Sequence, residues 1–267
     1  MIKPLWLIGG TSESREIARA IAPLNIPITI TVTTSEAIKL YEQILIDYPF
    51  VKVWVGILND QNIQEFYYQQ KFGKIIDASH PYATEISQLA INFSYNHQIP
   101  YLRYERSPVN ITEPVEENII YLKNFADLIN GEYLTNQRVF LTTGYKTLHL
   151  FQSWQERATL FTRILPNINT LQTTLNVGFT PDRIVAIRPP ISPELEIALW
   201  QHWQISLVIT KASGLAGGEK QKRAIARQLK IPLIIIQRPP ITYPDQTNDL
   251  KRAIAFCTNH LDSRGNS

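Results

Sequence analysis

The chain has 267 residues, 44% of them apolar and 18% charged, enough for one large domain or two ordinary ones around a sizeable core. Lys and Arg number 26 against 23 Asp and Glu, and they are scattered, so composition argues against a nucleic-acid partner and accommodates a small anionic one. One cysteine excludes an internal disulfide, and aliphatic runs such as Leu233 to Ile236 are too short to span a bilayer, which predicts a cytoplasmic protein with no membrane partner.

Strand-like and helix-like runs alternate from the start. Leu5 to Ile8 reads as a buried strand, Gly9-Gly10 as a tight turn, and Arg15 to Ala22 as an amphipathic helix capped by Thr11 or Ser12. Free N–H groups at such a helix start suit phosphate. The third glycine of the dinucleotide fingerprint is missing, and a plain strand-to-helix turn gives the same string. Ile26 to Thr33 is the next strand, ending in Thr33-Thr34-Ser35. Three hydroxyls there, with no carboxylate before Glu36, tilt the expected ribose site towards NADP.

Val51 to Val55 is a strand and Asp60 to Gln70 a helix. Lys74 to Ala78 then delivers Ser79-His80-Pro81-Tyr82-Ala83 to a strand end, ahead of a helix from Thr84 to Asn96. Ser79 and His80 are candidate ligand contacts, although Asp77 and Ser79 also read as local caps. Ile99 to Tyr104 is a strand, and the proline-bearing Glu105 to Glu117 reads as a domain crossing. The expected domains are 1–110 and 111–267.

Beyond a strand at Asn118 to Leu122 and a helix at Asn124 to Ile129, the second half repeats the design. Arg138 to Thr142 ends in Thr143-Gly144-Tyr145-Lys146, a hydroxyl-glycine turn followed by a lysine, as an anion site would have. Ala158 to Ile164 is a strand carrying Arg163, and Ile184 to Ile187 runs into Arg188. Ser192-Pro193-Glu194 is a helix start. Leu207 to Lys211 leads into Ser213, Gly214 and a glycine-rich loop through Gly218, where backbone N–H groups beside Lys211 suit a carboxylate or phosphate. The order is not that of a P-loop. A helix at Gln221 to Leu229, a strand at Leu233 to Ile236 and a helix at Asn248 to His260 close the pattern. Cys257 reads as helix packing. His80, His97, His149, His202 and His260 stand singly, without metal-ligand spacing. The fold expected is α/β: two Rossmann-like lobes with parallel sheets and a cleft between them.

The segments IGGTSESREIA, DASHPYA, TTGYK, RILP, DRIVAIRPPISPELEIAL and LVITKASGLAGGEKQKRAIARQLKIPLIIIQRP, in that order over nearly the whole chain, resemble the precorrin-6A reductase family of cobalamin biosynthesis. The resemblance implies NADPH-dependent reduction of one ring double bond in a contracted tetrapyrrole. It assigns Gly9, Gly10, Thr11 and Ser12 to the pyrophosphate, Thr33, Thr34 and Ser35 to the adenosine ribose, and Ser79 and His80 to the nicotinamide side. His80 is the expected proton donor, with solvent or a substrate carboxylate as alternatives. Tyr82, Thr143, Gly144, Lys146, Arg163, Arg188, Lys211, Ser213 and Gly214 are left to the polycarboxylate substrate. Family members often carry an arginine after the second strand. Here Lys39 substitutes for it or the NADPH preference is weaker. The rival reading is a two-lobed nucleotide- or sugar-binding transferase, or a non-catalytic binding module.

Overall fold

A computed structural model describes residues 3–105, 118–214 and 218–259. The Pro108 and Pro114 crossing, loop residues Leu215, Ala216 and Gly217, and His260 lie outside them. The chain divides into two compact units, Met1–Ser107 with Pro240–Ser267, and Pro108–Pro239.

Unit 1 opens with strands β1 (Leu5–Ile8), β2 (Ile28–Val32), β3 (Val51–Val55), β4 (Lys74–Asp77) and β5 (Tyr101–Tyr104). Between them lie helices α1 (Ser12–Ile21), α2 (Glu42–Asp47), α3 (Ile63–Gln70) and α4 (Thr84–His97). Unit 2 contributes β6 (Ile119–Leu122), β7 (Arg138–Leu141), β8 (Thr159–Ile164), β9 (Ile184–Ala186), β10 (Leu207–Lys211) and β11 (Leu233–Ile236). Its helices are α5 (Phe125–Asn130), α6 (Ile168–Asn176), α7 (Pro193–His202) and α8 (Glu219–Leu229). The chain then returns to unit 1 with β12 (Gln246–Thr247) and α9 (Leu250–Thr258).

Both sheets are parallel, in the orders β12-β5-β4-β1-β2-β3 and β6-β11-β10-β7-β8-β9. Numbered from the strand where the order reverses, each follows the 3-2-1-4-5 pattern of a doubly wound dinucleotide fold, plus a sixth edge strand. Strands such as β1, β2 and β11 are buried at every residue, as sheets covered on both faces require.

The second domain therefore does not run from 111 to the end. Residues 240–259 belong to unit 1, because β12 pairs with β5 and α9 drives Ala253 and Cys257 into the core formed by Leu5, Ile17, Ile21 and Leu102. A two-residue strand carries no periodic apolar signal, so only the pairing reveals it. Smaller differences have local causes. β2 starts at Ile28 because Pro27 has no N–H to give the ladder. α3 starts at Ile63 because the Asn59 side chain accepts from the amides of Gln61 and Asn62 and holds a turn there. The helix expected after Lys146 is a 3-10 helix, Tyr145–Trp154.

Candidate functional site

The crossover point falls between β1 and β4 in unit 1 and between β7 and β10 in unit 2, and glycine turns follow β1, β7 and β10. Ligands of open α/β sheets bind at the carboxyl ends of such strands.

At the end of β1, a Cβ on Gly9 would meet the Tyr41 hydroxyl at 2.5 Å and Ile30 Cγ2 at 2.7 Å, so this position serves close packing. Gly10 differs, with φ +94° and no atom within 4 Å of where a Cβ would stand. Its N–H donates to Tyr41 Oη at 2.8 Å, and Tyr41 Oη lies 2.6 Å from Ser14 Oγ. Burial pushes the Tyr41 phenol above its ordinary pKa, so it stays protonated. Thr11 caps α1: its hydroxyl accepts from Ser14 N–H at 3.0 Å and donates to the Ala78 carbonyl at 2.6 Å, while its own N–H donates to Ser14 Oγ. The turn is thus built rigidly by its own side chains. The Ser12 amide heads the helix outside that reciprocal pair, and the Ser12 hydroxyl donates to Glu13 at 2.9 Å. Thr33, Thr34 and Ser35 are exposed at the end of β2, where Thr34 leads into a 3-10 turn, Ser35–Leu40, that delivers Tyr41 back to Gly10.

β4 ends in a buried polar network. Asp77 and Arg103 are register partners on β4 and β5, both fully buried and paired at 2.8 Å. Asp77 also accepts from Ser79 N–H (2.9 Å), Ser87 Oγ (2.6 Å) and Tyr101 Oη (2.8 Å). Arg103 further donates to Ser79 Oγ (3.0 Å) and to Glu105 through Nε and a second Nη (3.0 and 2.8 Å), with Tyr243 stacked 5.2 Å away. This network fixes Ser79. The exposed His80 follows, its Nδ1 accepting from Tyr82 N–H at 3.3 Å and its carbonyl from Ala83 N–H at 2.7 Å. An imidazole accepting at Nδ1 carries its proton on Nε2.

In unit 2, Thr143 is buried and accepts from Thr147 Oγ1 at 2.9 Å, and Gly144 has φ +84° with nothing within 4 Å of a Cβ. Lys146 is exposed. Lys211, at the end of β10, has its pKa lowered to about 8, by burial first and then by the charge of Lys146, and its Nζ lies 5.7 Å from the Phe125 ring. Ser213 N–H bonds the Lys211 carbonyl at 2.7 Å, which turns the chain sharply. Gly214 N–H donates to the Glu219 carboxylate at 3.0 Å, an internal anion seated on the glycine loop.

Thr143, Gly144, Lys146, Lys211, Ser213 and Gly214 thus belong to one crossover point. Arg163 and Arg188 do not: Arg163 lies within β8 and Arg188 follows β9, on the far side of β7. Arg188 is exposed, whereas Arg163 is held in an ion pair by the buried Glu196. Sequence reading passed over Tyr41, Arg103 and Glu105 in unit 1 and Glu196, Glu219, Lys222 and Arg223 in unit 2. An arginine inside the buried strand Tyr101–Tyr104 was the one available signal. No group of His, Cys, Asp and Glu that would hold a metal occurs among the described residues, and Cys257 is packed in α9 with its thiol pushed up to about 12 by burial. No helix among the described residues is long and apolar enough to cross a membrane.

Paired crossover points, each with an open glycine turn beside a polar strand end, define a two-lobed α/β protein of the dinucleotide-fold class. The sequence profile described as "Precorrin-6x reductase CbiJ/CobK" matches residues 4–258. The chain is 42% identical over 263 residues to a cobalt-precorrin-6A reductase of Synechocystis sp., covering 97% of each chain. It is 30% identical to a cobalt-precorrin-6A reductase of Priestia megaterium, covering 97% of this chain and 100% of the other. A solved structure titled CobK precorrin-6A reductase superposes with a TM-score of 0.76 at 22% identity and 97% coverage of both chains, a likeness in fold. The chain belongs to the precorrin-6x reductase family, oxidoreductases acting on a tetrapyrrole intermediate of cobalamin biosynthesis.

Proposed function

We propose that this chain reduces a ring double bond of precorrin-6A, or of its cobalt-containing counterpart, with NADPH as donor and precorrin-6B or its cobalt form as product. The observation that carries the cofactor half is Gly10: a positive-φ glycine with open space at its Cβ position, at the head of a helix, at the crossover of a sheet in dinucleotide-fold order. NADPH fits this edge, with its pyrophosphate at Gly9, Gly10, Thr11 and Ser12 and its adenosine ribose at Thr33, Thr34 and Ser35. That leaves the nicotinamide half to the end of β4, at Ser79 and His80.

Bound NADPH supplies a hydride. The chain's own work is to hold the reactants, exclude water and place a proton. The Thr11–Ser14–Tyr41 bonds keep the turn from rearranging, and the Asp77–Arg103 network holds Ser79 beneath His80. His80, once solvent protonates Nδ1 in place of the Tyr82 N–H bond, gives its Nε2 proton to the substrate atom next to the reduced carbon and returns to the neutral imidazole. Substrate carboxylates are met by Lys146, Lys211 and Arg188, with the Thr143, Gly144, Ser213 and Gly214 turns, Arg163 and Tyr82 shaping their surroundings.

Titration with NADPH, followed by nicotinamide fluorescence, tests the cofactor half. The wild-type chain is expected to bind, and Gly10→Val to lose roughly a hundredfold in affinity because its side chain fills the turn and strains a positive φ. Absence of binding to the wild type favours the transferase or binding-module reading.

A further inference from the structure

The two units carry different chemistry at equivalent strand ends. Counting outward from each crossover, β8 stands in unit 2 where β2 stands in unit 1, and β9 where β3 stands. The end of β2 offers the exposed hydroxyls of Thr33, Thr34 and Ser35, which suit a ribose. The end of β8 instead offers Leu165, 46% exposed, and then Ile168, the first residue of α6 and 85% exposed. Leu195, in the first turn of α7, is also exposed, and it adjoins Glu196, whose ion pair with Arg163 brings that turn against β8. Helices that follow parallel strands start at the carboxyl edge, so all three side chains belong to the edge where ligands bind.

This ledge is held by its backbone. The Leu165 carbonyl accepts from Asn167 N–H at 2.8 Å and from Thr170 Oγ1 at 2.7 Å. Ile187 N–H donates to the Ile164 carbonyl at 3.0 Å, which sets the exposed Arg188 beside Leu165. Along the edge the order is therefore Lys211 on β10, Lys146 beyond β7, Leu165 beyond β8 and Arg188 beyond β9. Three strand spacings, about 14 Å, separate β10 from β9. Apolar surface flanked by cations over that span matches a ring with an apolar face and carboxylates around its rim.

We infer that Leu165, Ile168 and Leu195 form a ledge that seats the apolar face of the macrocycle, while Lys146 and Lys211 on one side and Arg188 on the other take its rim carboxylates. The inference deepens the tetrapyrrole reading and rests on it. The ledge adds affinity by removing apolar surface from water, which salt does not screen, whereas the cations act through charge, which salt does.

The test is steady-state reduction of precorrin-6A by the full chain with NADPH, or of its cobalt form if the wild type accepts only that. The double variant Leu165→Ser, Ile168→Ser is expected to raise the tetrapyrrole KM about tenfold, with the NADPH KM changed by less than about twofold. Its tetrapyrrole KM keeps the wild-type dependence on salt, because the cations are untouched, whereas Arg188→Ala flattens that dependence. Leu165→Met with Ile168→Leu, which keeps the apolar area, is expected to return the KM to within about twofold of wild type. An unmoved tetrapyrrole KM in the serine variant, an equal rise in the NADPH KM, a flattened salt dependence, or failure of the apolar pair to restore binding overturns the inference. A wild-type chain that reduces neither form overturns the tetrapyrrole reading and this inference with it.

Discussion

The two units share strand order, and each places an open glycine turn at its crossover, yet the buried ion pairs near those turns are built from different elements. Behind the β4 end of unit 1 lie two carboxylates and one guanidinium: Asp77, Glu105 and Arg103. Around the start of α8 in unit 2, Arg163, Lys222 and Arg223 meet Glu196 and Glu219. Lys222 is 4% exposed, and its pKa is lowered to about 8 by burial and then by Arg163, with Glu196 and Glu219 opposing. The fold fixes where a ligand edge forms, and the buried charges distinguish one edge from the other.

The largest expected effect comes from breaking the first network. Arg103→Met strands Asp77 as an unpaired buried charge and is expected to destabilise unit 1 by ~3–5 kcal/mol. In unit 2, Arg163→Met leaves Lys222 still facing Glu196, so the loss is expected to be smaller, about 1–3 kcal/mol. Urea unfolding separates the two, since Trp6 and Trp54 report on unit 1 and Trp154, Trp200 and Trp203 on unit 2. Equal losses in both variants would mean that the two networks are not the different devices described above.

Next in size is the anion site of unit 2. Lys211→Ala is expected to weaken the tetrapyrrole about tenfold, in line with one charge-assisted bond, with NADPH affinity nearly intact. The sign of the pH effect follows from the lowered pKa of Lys211, about 8. The ammonium holds a carboxylate and the neutral amine does not, so affinity is full below about pH 8 and falls as pH rises through it. Lys211→Arg, which stays charged, is expected to shift that fall to higher pH. Equal loss of NADPH by Lys211→Ala would break the division of labour between units.

How much of this was legible follows from what each feature needs. β1, β4, β7 and β10, and the glycine turns after β1, β7 and β10, are local patterns, and the sequence alone located them. Asp77 was visible only as a cap, because its pairing with Arg103 depends on β4 and β5 lying side by side in register. Glu196, Lys222 and Glu219 sit on helices where charge reads as solvent-facing, and only packing shows them buried. The return of β12 to unit 1 was illegible for the same reason: its partner is Arg103–Tyr104, more than a hundred residues earlier.

The smallest expected effect concerns the β2 edge, which neither buried network reaches. Thr33, Thr34, Ser35 and Glu36 are all exposed there, and the cation in the following 3-10 turn is the exposed Lys39. An exposed lysine on a flexible stem gives a phosphate only a fraction of a kcal/mol after screening. Lys39→Ala is therefore expected to lower the preference for NADPH over NADH by no more than about threefold. Steady-state rates with the two donors measure it, and the preference should shrink further at high salt, because the contact is solvent-facing. A loss of roughly a hundredfold would show a dedicated phosphate pocket built around Lys39.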